Sequence, residues 1–373
     1  RPSAGLSDLE LVEVDPDRFA LIEKEGFWDG ILGTPEYRED LRSIEVSSRD
    51  IAIEGLRSED IVAAQSVEWG GEAAWALCTR FGIHVVDLER GQMRATCAFG
   101  DGGPGDKLSV ELRVSTDGRY AAVAGTFAQY GQVYDLHSGR IILVFDRGAY
   151  HQDVTPYSFA FAQYSGKQLF VHATSWNRLD ITDVETGALL SERPSTKFRR
   201  GESRPDHYLD YFHGRLLVSP DHRRIVDDGW GWHPVGMMVS WSLDTWIAEN
   251  KWESEDGQSR KTLSCRDYYW GGPVCWVDDR HVALWGYGGD DEWLLPGVVI
   301  MDSVSGKRAK WIYGVEADAG LTEWPEKMAI EGLLNSDGTH LFGTSRRKEK
   351  LEVWDLSSGT KRGEVQGLMP LAY

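Results

Sequence analysis

Tyr134-Asp135-Leu136-His137-Ser138-Gly139 is one copy of a short pattern that recurs through this 373-residue sequence. In each copy an apolar run ends in Asp, and a polar turn closed by Gly follows. The other copies are residues 86–91, 182–187, 301–306 and 354–359, with degraded copies at 239–244 and 44–48. We interpret the pattern as a β-strand that ends at the Asp, a tight turn, and a further strand such as residues 140–146.

A second turn precedes these copies and recurs at intervals of about 54 residues, which indicates a repeating structural unit. In it a polar pair such as Asp117-Gly118 lies between two short apolar runs. Asp-Gly and Ser-Gly are typical of β-hairpins because Gly tolerates the positive φ that the turn requires. The seven occurrences are residues 14–18, 69–72, 115–119, 164–167, 219–223, 277–280 and 335–339.

Each unit therefore supplies three or four antiparallel strands, here a, b, c and d, which cannot bury their faces alone. Packed radially, such units form an all-β propeller. We expect one β-propeller domain over residues 1–373, with seven blades of four antiparallel strands; six or eight blades are the alternatives. The approximate blade ranges are 1–60, 61–105, 106–152, 153–207, 208–263, 264–325 and 326–373.

The sequence resembles the superfamily of WD-repeat-like β-propellers. The resemblance lies in the Asp-terminated third strands, the Gly-closed turns and the pair Trp354-Asp355. The stretch Asp227-Asp228-Gly229-Trp230-Gly231-Trp232-His233-Pro234 also resembles bacterial propeller proteins from an uncharacterised branch. This second resemblance implies a bacterial origin but no mechanism.

The net charge of −19, from 40 basic and 59 acidic residues, argues against binding of nucleic acid or an anionic membrane, since both need a basic surface. It favours a protein partner with a basic surface. No run of 18 apolar residues predicts a membrane span. The four cysteines lack metal-ligand spacing, so we expect free thiols in the cytoplasm. Because the chain begins Arg1-Pro2-Ser3, a lost targeting segment stays open as an alternative.

Residues 226–296 contain nine of the sixteen tryptophans. Our strand assignment makes residues 227–234 the b–c loop of the fifth unit and residues 288–293 the b–c loop of the sixth. Residues 264–270 are the d–a connection between those units. In an antiparallel blade the b–c and d–a connections emerge on the same face. We therefore expect these loops, and a fourth at residues 26–40, to share one face, where function tends to lie.

The candidate partner-binding residues are the aromatic and charged side chains of these three connections. They are Asp227, Asp228, Trp230, Trp232, His233, Arg266, Tyr268, Tyr269, Trp270, Asp290, Asp291, Glu292 and Trp293. Exposed Trp, Tyr and Arg are typical anchors of protein interfaces. The structural alternative is that the tryptophans wedge between blades and stiffen the loops. We expect the tryptophans on strands, Trp241, Trp276 and Trp285, to belong to the core.

We expect a non-catalytic protein-interaction scaffold with no catalytic, cofactor-binding or metal-binding residues. The glycines of residues 100–105 open no helix, which a phosphate-cradling loop would need. The three consecutive acids at 290–292 lack the alternating spacing of a calcium loop. Two alternatives stay open. One is a glycan or small-ligand binder that uses stacked Trp rings, and the other is a metal-assisted hydrolase at the mouth of the central channel.

Overall fold

The computed structural model describes residues 47–99, 109–199, 201–289, 294–317 and 333–370. Its strands form six antiparallel sheets, which we number blades 1 to 6. Blade 1 consists of β1 (Ile61–Trp69), β2 (Glu72–Thr79), β3 (Gly82–Asp87) and β4 (Gln92–Ala98). Blade 2 consists of β5 (Val110–Val114), β6 (Tyr120–Gly125), β7 (Tyr130–Asp135) and β8 (Arg140–Asp146). Blade 3 consists of β9 (Phe159–Tyr164), β10 (Lys167–Ser175) and β11 (Arg178–Asp183). Blade 4 consists of β12 (Phe212–Val218), β13 (Arg224–Gly231), β14 (Val235–Ser242) and β15 (Lys261–Asp267). Blade 5 consists of β16 (Val274–Trp276), β17 (His281–Tyr287), β18 (Leu295–Asp302) and β19 (Lys307–Tyr313). Blade 6 consists of β20 (Leu334–Ser336), β21 (His340–Ser345), β22 (Lys350–Asp355) and β23 (Thr360–Gln366).

The blades follow one another around a centre that their first strands line. The first strands of consecutive blades lie side by side in the pairs β1 and β5, β5 and β9, β9 and β12, and β16 and β20. Apolar side chains fill the space between blades. Ile83 of blade 1 shares a buried cluster with Leu112 and Tyr134 of blade 2, and the rings of Phe145 and Phe170 join blades 2 and 3 with centroids 4.9 Å apart. This packing of sheet on sheet is what holds a propeller together.

The all-β propeller is confirmed. The expected seven blades are wrong and the alternative of six is confirmed, because the described residues form six sheets. The predicted unit without a described sheet is the first one, at residues 1–60. Residues 1–46 of that unit lie outside the described part of the chain, and residues 47–60 contribute a short 3₁₀ turn, Ser58–Asp60, and no strand. A hairpin signal alone does not make a blade, since a blade needs strands that pair and bury their faces.

In five of the six described blades the third strand ends in an Asp, and this residue has a structural role. In blade 2, Asp135 Oδ1 accepts hydrogen bonds from the backbone N–H groups of His137 and Ser138 at 2.9 and 3.0 Å, and Oδ2 accepts from Arg119 Nε at 3.3 Å. Equivalent bonds, each with a backbone donor and a cationic side chain, are made by Asp87, Asp183, Asp302 and Asp355. The carboxylate thus accepts the backbone N–H groups of the turn that the sequence pattern predicted.

Blade 4 carries the degraded copy, and there a helix replaces the turn. Ser242 stands where the other blades have Asp, and its hydroxyl accepts a hydrogen bond from the Thr245 N–H at 3.1 Å. This N-cap begins α1 (Leu243–Ala248), which α2 (Glu253–Asp256) follows before β15. A side-chain oxygen at the N-cap satisfies a backbone donor that the first turn of a helix leaves open.

Blade 3 has a three-stranded sheet, and side chains complete its outer edge. After β11 the chain makes a single β-bridge between Thr182 and Leu189. Ser191 Oγ then accepts from the Ile181 N–H at 2.8 Å, and Arg193 Nη2 donates to the Leu179 carbonyl at 2.8 Å. These side chains replace the backbone partners that a fourth strand would supply. No helix in the described part of the chain is long and apolar enough to cross a bilayer.

Candidate interaction face

Three aromatic rings form a buried stack at one end of blade 4. Phe212 begins β12 and lies directly across from Trp230 on β13. Their ring centroids are 4.4 Å apart with an interplanar angle of 5°. Trp270, in the connection from β15 to β16, stacks on the other face of Trp230 at 4.9 Å and 16°. All three residues are buried, so the stack is a rigid base rather than a contact surface.

Trp232 projects from this base at the tip of the β13–β14 hairpin. Its side chain is 45% exposed, and its ring stands edge-on to Trp230 at 5.3 Å and to Phe212 at 5.4 Å. The tip is tight: His233 has φ +98°, and the carbonyl of Pro234 accepts a hydrogen bond from the Tyr268 N–H at 2.8 Å. That bond holds the exposed Tyr268 beside the hairpin.

Two further segments bring aromatic rings to the same place. Tyr150 and His151 lie in the connection from blade 2 to blade 3, and Trp176 lies in the β10–β11 turn. The Trp176 ring is 4.4 Å from Phe212, and His151 meets Trp232 edge-on at 5.6 Å. We call the exposed side chains of Tyr150, His151, Trp232 and Tyr268, together with the half-buried Trp176, the aromatic face.

Arg147 fixes the loop that carries Tyr150 and His151. Its buried guanidinium donates to five backbone carbonyls of the surrounding loops. These acceptors are Gln152 at 2.7 Å, Ala128 at 2.9 Å, Thr155 at 3.1 Å, Pro156 at 3.2 Å and Thr126 at 3.5 Å. Burial lowers the pKa of Arg147 to about 10, so it stays charged at neutral pH. One side chain therefore replaces the regular hydrogen bonding that the irregular loop lacks.

The same loop is tied to blade 4 from the other side. Trp270 Nε1 donates to the carbonyl of Val154 at 3.0 Å, across 116 positions of sequence. Because the Trp270 ring belongs to the buried stack, this bond connects the loop of residues 147–158 to the base of the aromatic face. The aromatic face is thus assembled from blades 2, 3 and 4, and its loop of residues 147–158 is fixed both by Arg147 and by Trp270.

Ionisable groups are buried beneath the face. His213 Nδ1 lies 2.6 Å from Asp227 Oδ2, and the Gly214 N–H donates to Asp227 Oδ1 at 2.9 Å. Within the described residues His213 Nε2 has no hydrogen-bond partner. Asp227 on β13 thus contacts both the His213 ring and the backbone of β12, which ties the first two strands of blade 4 together.

Asp228 is the second buried carboxyl group. Burial raises its pKa to about 7, and the neighbouring Arg215 and Arg266 partly offset that effect. The Gly271 N–H donates to the carboxyl group, while Oδ2 has no partner among the described residues. Arg266 itself donates to the carbonyls of Trp285 and Gly286 in blade 5 at 2.9 and 2.8 Å. These groups join blade 4 to blade 5.

Several of the predicted site residues therefore occupy other positions than expected. Asp227, Asp228 and Trp230 are buried on β13 rather than exposed in a b–c loop, because the strand continues to Gly231. Arg266 is buried on β15, and Trp270 is buried in the stack. The structural alternative, in which the tryptophans wedge between blades, stays a prediction; Trp230 and Trp270 are buried in a stack with Phe212.

The other predicted residues divide into three groups. Trp232, His233 and Tyr268 are exposed as expected of a contact surface, and Tyr269 is half-buried with the Arg266 guanidinium 5.3 Å from its ring centroid. Asp290, Asp291, Glu292 and Trp293 lie outside the described residues. Among the described residues, no group of three or more His, Cys, Asp or Glu side chains could hold a metal ion.

Sequence reasoning missed the contribution of blades 2 and 3, namely Tyr150, His151 and Trp176, and it also missed the base residue Phe212 of blade 4. A signal was present for Trp176, which lies with Asn177 between two apolar runs and so occupies a b–c turn. No comparable signal marks Tyr150 and His151. Their place depends on Arg147 and Trp270, which bond to backbone carbonyls of their loop.

Comparison with known proteins identifies the class through the fold. No protein-family model matches the sequence, and no curated protein matches it. Among solved structures, the β-propeller domain of Cps50 (Swd1) from Myceliophteria thermophila superposes with a TM-score of 0.50 at 12% identity, covering 84% of this chain and 88% of that one. The chain is therefore a β-propeller.

Two further solved structures give lower scores. RRP9 WD40 repeats match with a TM-score of 0.46 at 13% identity over 80% of this chain and 77% of that chain. U3-55K matches with a TM-score of 0.47 at 14% identity over 81% and 80%. At these identities the likeness concerns the fold alone.

Proposed function

We propose that this β-propeller is a non-catalytic interaction module that binds a protein partner through the aromatic face. The observation that carries the proposal is the exposure of Trp232 at 45%, Tyr150 at 52% and Tyr268 at 56% above a base of stacked, buried rings. Aromatic side chains on rigid supports lose little conformational entropy when they bind, which is why they dominate interface hot spots.

The charges beside the face favour a partner with basic side chains. Asp153 lies in the loop of Tyr150, and Asp267 precedes Tyr268; both are exposed. Neither makes an ion pair within the described part of the chain, and the whole chain carries a net charge of −19. An Arg or Lys side chain of the partner would contact the aromatic rings through cation–π interactions and the carboxylates through ion pairs.

The test is selection from a library of random displayed peptides. We expect the wild-type protein to enrich peptides that contain Arg or Lys, with binding that weakens as the salt concentration rises. The variant Trp232→Ala/Tyr268→Ala should lose this binding and keep the unfolding midpoint of the wild type, because both side chains are exposed.

The matched control is Phe81→Ala. Phe81 is an aromatic residue, 61% exposed, in the β2–β3 turn of blade 1 and outside the aromatic face. Its removal should leave peptide binding unchanged. Peptide binding that survives in the Trp232→Ala/Tyr268→Ala variant would refute the assignment of the face. Enrichment on an oligosaccharide array, with none from peptides, would instead support the glycan-binding alternative.

A further inference from the structure

The outermost strand of blade 2 differs from the outermost strands of the other four-stranded blades. β8 reads Arg140-Ile141-Ile142-Leu143-Val144-Phe145-Asp146, with five consecutive apolar residues between its charged ends. The corresponding strands β4, β15, β19 and β23 all carry Lys or Arg within the strand, such as Arg94 in β4. Charged side chains on an outer strand discourage pairing with another chain, and the interior of β8 lacks them.

The apolar side chains of β8 are divided between the core and the solvent. Phe145 is buried, and Leu143 packs against the cluster shared with blade 3. Ile141, Ile142 and Val144 are 42%, 40% and 59% exposed. A β-bulge between the pairs Val133–Leu143 and Tyr134–Ile141 leaves Ile142 as the extra residue, so Ile141 and Ile142 are both presented to solvent.

A fourth exposed side chain extends this patch. Tyr130 begins β7, is 58% exposed and lies directly across from Asp146. We call Tyr130, Ile141, Ile142 and Val144 the rim patch. Within the described residues β8 pairs with β7 alone, so the outer edge of the strand is open beside the patch. The bulge does not distinguish β8, because β4, β19 and β23 have one at the same place and β15 has one two pairs further from the turn.

We propose that the rim patch is a weak dimerisation surface that binds a second copy of this chain. The strand is self-complementary about Leu143. When two copies of β8 lie antiparallel around a two-fold axis at Leu143, Arg140 of each copy faces Asp146 of the other, and Ile142 faces Val144. A closed two-fold dimer requires this kind of surface, in which one patch complements itself.

The charged ends favour a second copy over an unrelated occupant. Arg140 makes no ion pair within the described residues. Asp146 accepts hydrogen bonds from Gln129 Nε2 at 3.1 Å and from the Gly148 N–H at 2.7 Å, and it likewise has no cationic partner among them. In the antiparallel dimer Arg140 of each copy pairs with Asp146 of the other, which gives two ion pairs. Exposed ion pairs contribute little affinity, so they set the register while the apolar side chains supply most of the stabilisation.

One strand per copy makes a small interface, of the size that gives weak, reversible complexes. The test is sedimentation velocity over about 5 to 500 µM, a range that covers weak association. We expect the wild type to shift from monomer to dimer as its concentration rises. Ile142→Lys/Val144→Lys should remain monomeric throughout. Thr96→Lys, the position of β4 that corresponds to Val144 relative to the bulge, should dimerise like the wild type.

A charge exchange tests the register. Arg140→Asp and Asp146→Arg should each weaken dimerisation at least several-fold, because each places like charges together. The double variant Arg140→Asp/Asp146→Arg should recover it. A wild type that stays monomeric to about 500 µM would overturn the proposal. So would a dimer that persists in the Ile142→Lys/Val144→Lys variant, since another surface would then form it. These outcomes are independent of the peptide-binding test.

Discussion

Asp228→Asn is expected to change how the stability of the propeller depends on pH. Asp228 lies buried between blades 4 and 5, and burial raises its pKa to about 7, whereas an Asp in an unfolded chain has a pKa of about 3.9. The folded state therefore binds a proton more tightly than the unfolded state. Asp228 makes the protein less stable as the pH rises from about 4 to 7, and its effect is constant above pH 7.

The magnitude follows from the difference between the two pKa values. About three pKa units correspond to a cost on the order of 4 kcal/mol in the free energy of unfolding at pH 8, relative to pH below 4. At pH 5 roughly two thirds of this cost is absent, because the folded carboxyl group is then protonated. Asn cannot ionise and is similar in shape to a protonated Asp. The variant should therefore be more stable than the wild type at pH 8, and the gain should shrink by pH 5.

The assay is denaturant unfolding of the wild type and Asp228→Asn at pH 8, 7, 6 and 5. Other groups also titrate in this range; burial lowers the pKa of His172 to about 4, which acts in the opposite direction. Subtracting the free energy of unfolding of the wild type from that of the variant at each pH removes these shared contributions. A difference that stays constant from pH 8 to pH 5 would refute the assignment of a raised pKa to Asp228.

Three further predictions concern packing and the loops. Trp230→Ala should lower the free energy of unfolding by about 3–5 kcal/mol because it removes the middle ring of a buried stack, whereas Trp232→Ala should lower it by less than about 0.5 kcal/mol. Equal losses in denaturant unfolding would contradict the buried position of Trp230 and the exposed position of Trp232. Trp354→Ala removes a buried ring and its hydrogen bond to Glu352 at 3.0 Å, so it should lower the free energy of unfolding by about 3–5 kcal/mol. An unaltered melting temperature would contradict the burial of Trp354. Arg147→Met should speed backbone hydrogen exchange in residues 148–156, because their carbonyl contacts are lost; unchanged exchange in mass spectrometry would exclude the role given to the guanidinium.

The two proposed surfaces lie on different parts of the propeller, and each is proposed for a different partner. The aromatic face is formed by connections at one end of blades 2, 3 and 4, whereas the rim patch is on β7 and β8, the two outer strands of blade 2. Blade 2 contributes to both, through the loop of residues 147–158 and through β8. A dimer formed at the rim patch would present two aromatic faces, so a partner with repeated basic segments would bind with increased avidity.

The repeated local patterns were sufficient to predict the fold because their side chains form hydrogen bonds with backbone groups a few residues away. A carboxylate such as Asp135 accepts hydrogen bonds from the residues two and three positions after it, so its role is visible in a few consecutive positions. The number of blades was not predictable in the same way. It depends on which units pair and pack, and the turn at residues 14–18 carried the hairpin signal without a described blade.

For the candidate site, the sequence alone determined that aromatic residues such as Trp232 and Tyr268 belong to connections between strands. Only the tertiary structure decided which of the neighbouring side chains are exposed. Asp228 and Trp230 are buried because β13 extends beyond the expected loop boundary and pairs with β12 and β14 along its length. The aromatic face itself depends on contacts between distant segments, such as the bond from Trp270 to Val154. Such contacts arise when separate blades pack together, and no local spacing of residues encodes them.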